Sequence, residues 1–217
     1  MKYIIMCGGE YTDWATPRQM SVIRGEEIVA RTIRLLRENG IEDISISTHD
    51  KRFAKYGVPL LEHDNYYKYE NGQTYGSWYN AFYPTDEPTC YIFGDVYFSD
   101  EAIRTIVETE TDDIEFFGSS EVKEYASNYF KSHVEPFALK VVDTNHLKRA
   151  VAKTRELDAQ GAFWRTPIMW ELWTVIKDLP LQTVPDIYPY DSYVAINDYT
   201  CDVDSKWDLK RINEVIK

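Results

Sequence analysis

Asp95, Asp202 and Asp204 are the residues of this chain best suited to hard-cation chemistry. Asp95 directly follows the apolar run Thr89–Phe93 and one glycine, Gly94. Asp202 and Asp204 flank Val203 near the end of the sequence. An extended backbone puts both of their carboxylates on one side. Strand-end carboxylates at the carboxyl edge of a parallel sheet can share one Mg²⁺ ion, and a bound metal then carries the positive charge that meets phosphate. The plainer alternative is that Asp95 caps a turn and the Asp202/Asp204 pair caps the last helix.

A second constellation lies near the front. The apolar run Tyr3-Ile4-Ile5-Met6 empties into Cys7-Gly8-Gly9-Glu10-Tyr11-Thr12. Glycine has no Cβ, so Gly8 and Gly9 let backbone N–H groups approach a phosphate or a base edge. Arg18, in Pro17-Arg18-Gln19-Met20, could return over the same phosphates; otherwise it is a surface arginine in a Pro-initiated turn. Lys140, at the end of the apolar run Pro136–Val142, is a candidate for a second phosphate, or an ordinary strand-end cation. His49, His63, His133 and His146 show no metal-binding spacing, and His49 reads as part of a surface turn. No serine sits in a nucleophile elbow, and no nucleophile–base set is visible.

These groups need a frame. Val29, Ile33 and Leu36, with Leu35 beside them, form the apolar stripe of a helix that Gly40 stops. Ile41–Ser47 alternates as a strand. Strand, glycine loop, helix and strand make a βαβ unit, which predicts a parallel sheet with ligands at its carboxyl edge. Thr89–Phe93 reads as a central strand, followed by a helix with Ser99 or Asp100 as N-cap. Ile114–Phe117 and Pro136–Val142 read as further strands. Helices are predicted from about Asn145 to Leu157, over Ile168–Lys177 behind Thr166-Pro167, and after the capping-box-like Ser205-Lys206-Trp207-Asp208.

The segment 62–83 carries Tyr66, Tyr67, Tyr69, Tyr75, Trp78, Tyr79, Phe82 and Tyr83 among polar residues. It reads as a loop plus an amphipathic helix that sends Trp78 and Phe82 into the core, with some loop tyrosines walling a ligand pocket. The chain holds 17 tyrosines and 6 tryptophans, more aromatic surface than a core of this size requires. Part of it, in 62–83 and in Trp164–Trp173, is therefore available for a ligand.

The 217 residues fit one α/β domain or one domain with a small lid. No apolar run approaches the length of a membrane span, and the first residues read as a strand rather than a leader, which predicts a cytoplasmic protein with no membrane contact. Cys7, Cys90 and Cys201 are far apart and lack metal spacing; Cys7 and Cys90 read as core thiols. The net charge of −12 leaves no basic face for nucleic acid, although it does not exclude small anionic substrates.

Taken in order, these motifs resemble the nucleotidyltransferases that join a nucleoside triphosphate to a sugar phosphate or phosphoalcohol. Pro17-Arg18-Gln19-Met20 is similar to that family's Pro-Lys-x-Leu element. Gly25-Glu26-Glu27-Ile28-Val29-Ala30-Arg31-Thr32 is similar to its Gly-x-x-Ile/Leu-hydrophobic-Arg-Thr helix. Gly94-Asp95 resembles its Gly-Asp metal site, and Asp202-Val203-Asp204-Ser205-Lys206-Trp207-Asp208-Leu209 its closing element. The chain departs from the family at its glycine loop, which lacks a second spaced glycine and an arginine, and at Arg18, which stands in place of lysine.

The resemblance implies an α/β fold, Rossmann-like and three-layered (α/β/α), with a mixed, mostly parallel sheet. It implies a single domain over residues 1–217, with 62–83 and 120–175 supplying acceptor-side or lid elements. Gly8, Gly9, Glu10, Arg18 and Ser77 would bind the nucleotide. Arg18 and Asp95 would be catalytic. Asp95, Asp202 and Asp204 would hold Mg²⁺, and Lys140, Tyr75 and Trp78 would meet the acceptor. The partners would be a nucleoside triphosphate and a small phosphorylated acceptor, with no nucleic acid; a homodimer is compatible with this reading. Two rivals stay open: a glycosyltransferase that starts from a ready-made nucleotide sugar, with Asp95-Val96-Tyr97 as a degenerate metal motif, and an inactive nucleotide-sugar binding protein.

Overall fold

The computed structural model describes residues 1–8, 14–63, 66–68, 74–76, 81–119, 134–181 and 192–216. The strands are β1 (Lys2–Met6), β2 (Val22–Ile23), β3 (Glu26–Glu27), β4 (Ile44–Ser47), β5 (Leu60–Leu61), β6 (Tyr66–Lys68), β7 (Thr74–Gly76), β8 (Thr89–Phe93), β9 (Val96–Tyr97), β10 (Ile114–Ser119), β11 (Pro136–Val141), β12 (Val194–Ile196) and β13 (Cys201–Asp202). The helices are α1 (Ile28–Glu38), α2 (Asp100–Glu108), α3 (Thr144–Ala159), α4 (Met169–Ile176) and α5 (Lys206–Val215).

Among the described residues, seven strands form the central sheet in the order β12-β10-β11-β8-β1-β4-β5. β1 runs parallel to both β4 and β8, β4 is parallel to β5, and β10 is parallel to β12. β11 alone runs against its neighbours β8 and β10. This is the mixed, mostly parallel sheet that the family resemblance implies. All four residues of β4 and all five of β8 are buried. Burial of consecutive residues means that both faces of the sheet are covered, which explains the unbroken apolar runs. α1 packs with α2, and α3 with α4.

Local signals act as expected at several ends. Ser99 Oγ accepts from Ala102 N at the start of α2. Gly40, at φ +79°, stops α1. Ser205 and Asp208 exchange bonds at the start of α5, with Ser205 N donating to Asp208 at 2.8 Å and Asp208 N donating to Ser205 Oγ at 3.2 Å. At α4 the cap differs from a Thr-Pro start. Met169 is the first helical residue, and the Glu171 carboxylate accepts from Ile168 N at 2.9 Å.

The segment 62–83 differs from its sequence reading. It contributes an antiparallel hairpin, with Tyr67 opposite Tyr75. Phe82 reaches the core from a bend and packs edge-on against Tyr91 at 5.0 Å. Within 120–175 the described regular elements are β11, α3 and α4, which belong to the sheet and its cover.

Aromatic residues of the β10 side are spent on the core. Trp170 and Trp173 are fully buried and pack on Phe116 at 4.8 and 5.3 Å. Tyr193 closes the cluster against Trp170 at 5.2 Å.

Cys7 and Cys90 are buried and free. Burial pushes the Cys90 thiol up to about 12, with Lys140 pulling weakly the other way. Burial, helped by the Asp95 charge, pushes Cys7 well above its usual value. In the unfolded chain these thiols titrate near 9.0. Between there and the folded values, the unfolded state has lost protons that the folded state keeps, so stability is fully present below the unfolded value and falls as pH rises. Each thiol removes up to about 1.4 kcal/mol per pH unit in that window. The stability measured by urea unfolding should therefore drop between about pH 8 and about pH 10, and Cys90→Ala should shrink that drop by roughly 1 kcal/mol. An undiminished drop in the variant would contradict this account.

Candidate functional site

β1 has β4 on one side and β8 on the other. The chain leaves β1 through α1 to β4, then crosses back to β8 beyond β1. Such a reversal opens a crevice at the carboxyl ends of the strands. Cys7-Gly8 leaves β1 at this point, and Gly94-Asp95 leaves β8 beside it. Cys7 N donates to Ser47 O at 2.9 Å, Thr48 Oγ1 donates to Cys7 O at 3.0 Å, and Gly94 N donates to Met6 O at 3.0 Å.

Gly94 is required by contact rather than by backbone angle. A Cβ there would lie 2.5 Å from Cys7 Sγ and 2.6 Å from Met6 O. The strand end that delivers Asp95 therefore presses directly on β1.

Asp95 next meets the chain's last segment. Val203 N donates to Asp95 O at 2.9 Å, and Asp202 lies opposite Val96 in the β9–β13 pair. A second apolar cluster of Ile23, Ile28, Tyr97, Cys201, Val203 and Ile212 seats this segment. Residues distant in sequence thus converge. The Arg18 guanidinium spans Asp95 Oδ2 at 2.5 Å and Asp204 Oδ1 at 2.7 Å. Asp95 and Arg18 are largely shielded from water, while Asp204 is about half exposed.

Three of the predicted site residues therefore meet in one cluster, with Asp202 next to it. Arg18 stands between the carboxylates instead of apart from them. Among the described residues no group of three or more His, Cys, Asp or Glu side chains could hold a metal. The donor set still fits Mg²⁺, which keeps several waters and is commonly held by one or two carboxylates plus substrate phosphates. Two hard oxygen donors converge here on a single cationic centre.

Lys140 is a correction. β11 runs antiparallel to β8, so its carboxyl end reaches the amino edge of the parallel strands, where Val141 pairs with Thr89. Lys140 is 4% exposed, and its Nζ donates to Val107 O at 3.1 Å and Thr109 O at 2.6 Å. It ties down the last carbonyls of α2, and burial lowers its pKa. Those contacts place it away from the crevice. Gly9, Glu10, Ser77, Trp78 and His133 lie outside the described residues. Gly8 lies at the crevice, and Tyr75 is placed by its backbone in β7.

Arg31, part of the Gly25–Thr32 motif, has a structural task. Its Nε donates to Phe98 O at 2.9 Å, its Nη2 pairs with Asp100 at 2.6 Å, and its guanidinium lies 4.8 Å from the centre of the Tyr97 ring. It fastens α1 to the segment that carries Asp95. Gly25, at φ +83°, makes the β2–β3 turn with Arg24 at φ +53°, the two-residue loop that needs positive φ at both positions. Asp198 carries no local sequence signal. It accepts from Ser99 Oγ and, at 2.7 Å, from Thr200 N, joining the last segment to the start of α2.

Three solved structures show what this arrangement is similar to. A CTP:phosphocholine cytidylyltransferase from Streptococcus pneumoniae superposes with TM-score 0.54 and 19% identity, covering 100% of this chain and 99% of that one. A putative glucose-1-phosphate thymidylyltransferase from Bacillus anthracis gives 0.55 and 17%, over 98% and 94%. An inositol-1-phosphate CTP transferase from T. maritima gives 0.55 and 13%, over 99% and 95%. The chain has the fold of these nucleotidyltransferases. No family model and no curated protein matches the sequence. The match in fold covers 98–100% of this chain.

Gly94→Ala should lower stability by about 1–3 kcal/mol, the scale of an overpacked core site. Cys7→Ala in the same chain should restore only part of this, because the clash with the Met6 carbonyl remains. Chemical denaturation of the single and double variants tests both statements. Full rescue would mean that the sulfur alone sets the constraint.

Proposed function

We propose that this protein is a Mg²⁺-dependent nucleotidyltransferase that joins a nucleoside triphosphate to a sugar phosphate or phosphoalcohol and releases pyrophosphate. The observation that carries the reading is the meeting of Arg18, Asp95 and Asp204, with Asp202 alongside, in the crevice between β1 and β8. The whole-chain likeness in fold to three nucleotidyltransferases supports it.

The chemistry asks little of the protein in proton transfer. The acceptor phosphate is already ionised at neutral pH and is itself the nucleophile. Its oxygen forms a bond to the α-phosphorus, the bond from that phosphorus to the bridging oxygen breaks, and pyrophosphate leaves with the electron pair. The protein's share is alignment and charge neutralisation. Gly8 offers backbone at the end of β1. Arg18 would turn from its carboxylates to the β- and γ-phosphates, which its planar fork can grip at two points. Asp95 and Asp204, with Asp202 beside them, would hold Mg²⁺, which when bound supplies positive charge against the phosphates. A chain of net charge −12 depends on such cations to admit a polyanion. Among the described residues no helix is long and apolar enough to cross a membrane.

The deciding experiment is a screen of four nucleoside triphosphates against phosphorylated sugars and alcohols, read by pyrophosphate release. No release with any pair, from folded protein with Mg²⁺ present, would overturn the reading. Asp95→Ala should abolish turnover while leaving the fold intact, because it removes a ligand from a site with few. Folded variant with full activity would remove Asp95 from the mechanism.

Arg18→Ala separates two roles of one residue. It should raise KM for the triphosphate and lower kcat, by about tenfold or more together, with Arg18→Lys recovering part of the loss. It should also tighten Mg²⁺ binding measured without nucleotide, since the guanidinium no longer occupies the two carboxylates. Calorimetry that finds Mg²⁺ affinity unchanged would show that Arg18 and the metal do not share a place.

A further inference from the structure

The α3–α4 connection carries an aromatic–cation pair that the proposed chemistry has not used. β11 ends at the amino edge of the sheet, and α3 starts there. Its 16 residues carry the chain about 24 Å toward the other edge. α4 then descends, because Trp170 lies 3.4 Å from the position a Gly118 Cβ would take, near the carboxyl end of β10, and Lys177 Nζ donates to Ile114 O at its start. The connection 160–168 therefore lies at the carboxyl edge, on the β10–β11 side of Asp95.

Trp164 sits in this connection and is 40% exposed, although Trp170 and Trp173, in the helix that follows, are fully buried. The Arg165 guanidinium lies 4.6 Å from the centre of the Trp164 ring. It is held from behind by Glu171, which is 1% exposed, through Nε to Oε1 at 2.8 Å. The other oxygen of Glu171 accepts from Ile168 N at 2.9 Å, so the carboxylate cannot swing away without uncapping α4. Among the described residues, Arg165 Nη2 is buried and meets no hydrogen-bond acceptor. The assembly is thus a pre-set ring and fork. A buried carboxylate is an expensive way to hold a surface arginine, and it fixes the guanidinium's plane.

Resting on the proposed transferase reading, we infer that Trp164 and Arg165 receive the non-phosphate part of the acceptor and select a polyhydroxyl or anionic group, such as a sugar ring, over a quaternary ammonium. The physical reason is competition for one ring. The electron-rich Trp164 face that would attract trimethylammonium already carries a guanidinium, and that fixed positive charge repels a second cation. A sugar meets neither obstacle. Its apolar face stacks on the open side of the indole, and its hydroxyls accept from the outward part of the Arg165 side chain, which is 26% exposed. The acceptor is therefore a sugar or polyol phosphate rather than phosphocholine.

The test uses the full chain with Mg²⁺, the best triphosphate from the screen, hexose 1-phosphates, inositol 1-phosphate and phosphocholine. At least one sugar or polyol phosphate should turn over with a higher kcat/KM than phosphocholine. Trp164→Ala should raise KM for that acceptor about tenfold, the scale of one lost aromatic contact, while KM for the triphosphate moves less than about twofold. Arg165→Lys keeps a charge opposite Glu171, so the fold survives, but it loses the planar fork. It should also raise the acceptor KM and narrow the preference against phosphocholine. Phosphocholine equal to or better than every sugar and polyol phosphate would overturn the inference. So would acceptor KM values unmoved by both variants while turnover persists. Triphosphate binding, followed by calorimetry, separates the levels. Binding and transfer with the wrong acceptor order defeat this inference alone, whereas no triphosphate binding defeats the transferase reading and this inference with it.

Discussion

The close approach of β8 to β1 at Gly94 is the constraint on which the site depends. With a hydrogen in place of a methyl group, the end of β8 lies against Met6 O and Cys7 Sγ. The bond from Gly94 N to Met6 O extends the parallel ladder one step beyond the strands. Asp95 emerges from that contact at a fixed height above the sheet. Everything else in the crevice is referred to its position: Val203 docks on its carbonyl, and Arg18 docks on its carboxylate. Where two strand ends are this close, even one extra carbon must move backbone, and the cost falls on the residue that follows.

The second theme is the management of charge in an acidic protein. Asp95 and Asp204 are brought together although they repel, and Arg18 offsets the repulsion. One cationic side chain thus offsets part of the charge of the two carboxylates. A guanidinium prefers phosphate and carboxylate alike and can exchange one for the other at modest cost. The same economy recurs elsewhere. Arg31 answers Asp100 while binding Phe98 O, Arg34 answers Glu26 and Glu38, and Arg165 answers the buried Glu171. Arg34 lowers the Glu26 pKa mainly through its hydrogen bonds. Lys140 serves a different end, since its partners are carbonyls at a helix terminus and burial makes its charged form less favourable.

The two halves of the molecule divide the work. The β1–β4–β8 half makes the crevice and its charges. The β10–β11–β12 half, with α3 and α4, uses Trp170, Trp173, Phe116 and Tyr193 as a dense core. That core supports the α3–α4 connection from below. A rigid base is what allows an exposed indole and an anchored arginine to hold one geometry. The aromatic richness of the chain is thus mainly structural on this side, with Trp164 left over.

Much of the fold was legible in the sequence because its causes are local. The apolar stripe of α1, the Gly40 stop, the Ser99 cap, the Ser205/Asp208 box and the buried runs of β1 and β8 follow from periodicity and capping within a few residues. The βαβ start predicted a parallel sheet and a carboxyl-edge crevice, and Asp95 was found there because it directly follows a strand. The sequence also nominated Asp95, Asp202 and Asp204 as one metal site and Arg18 as a separate phosphate clamp. Only the tertiary structure decided that Arg18 sits between Asp95 and Asp204, since that depends on a 186-residue separation closing through the second apolar cluster. It also decided against Lys140. Strand polarity is not written in an apolar run, and reversing β11 moves its last residue to the far edge. The β6–β7 pairing in 62–83 is not legible in the sequence because its tyrosines suit helix, strand or pocket equally. Glu171 and Arg165 were invisible for a related reason: the burial of a charge is set by what packs over it, and no local pattern records that.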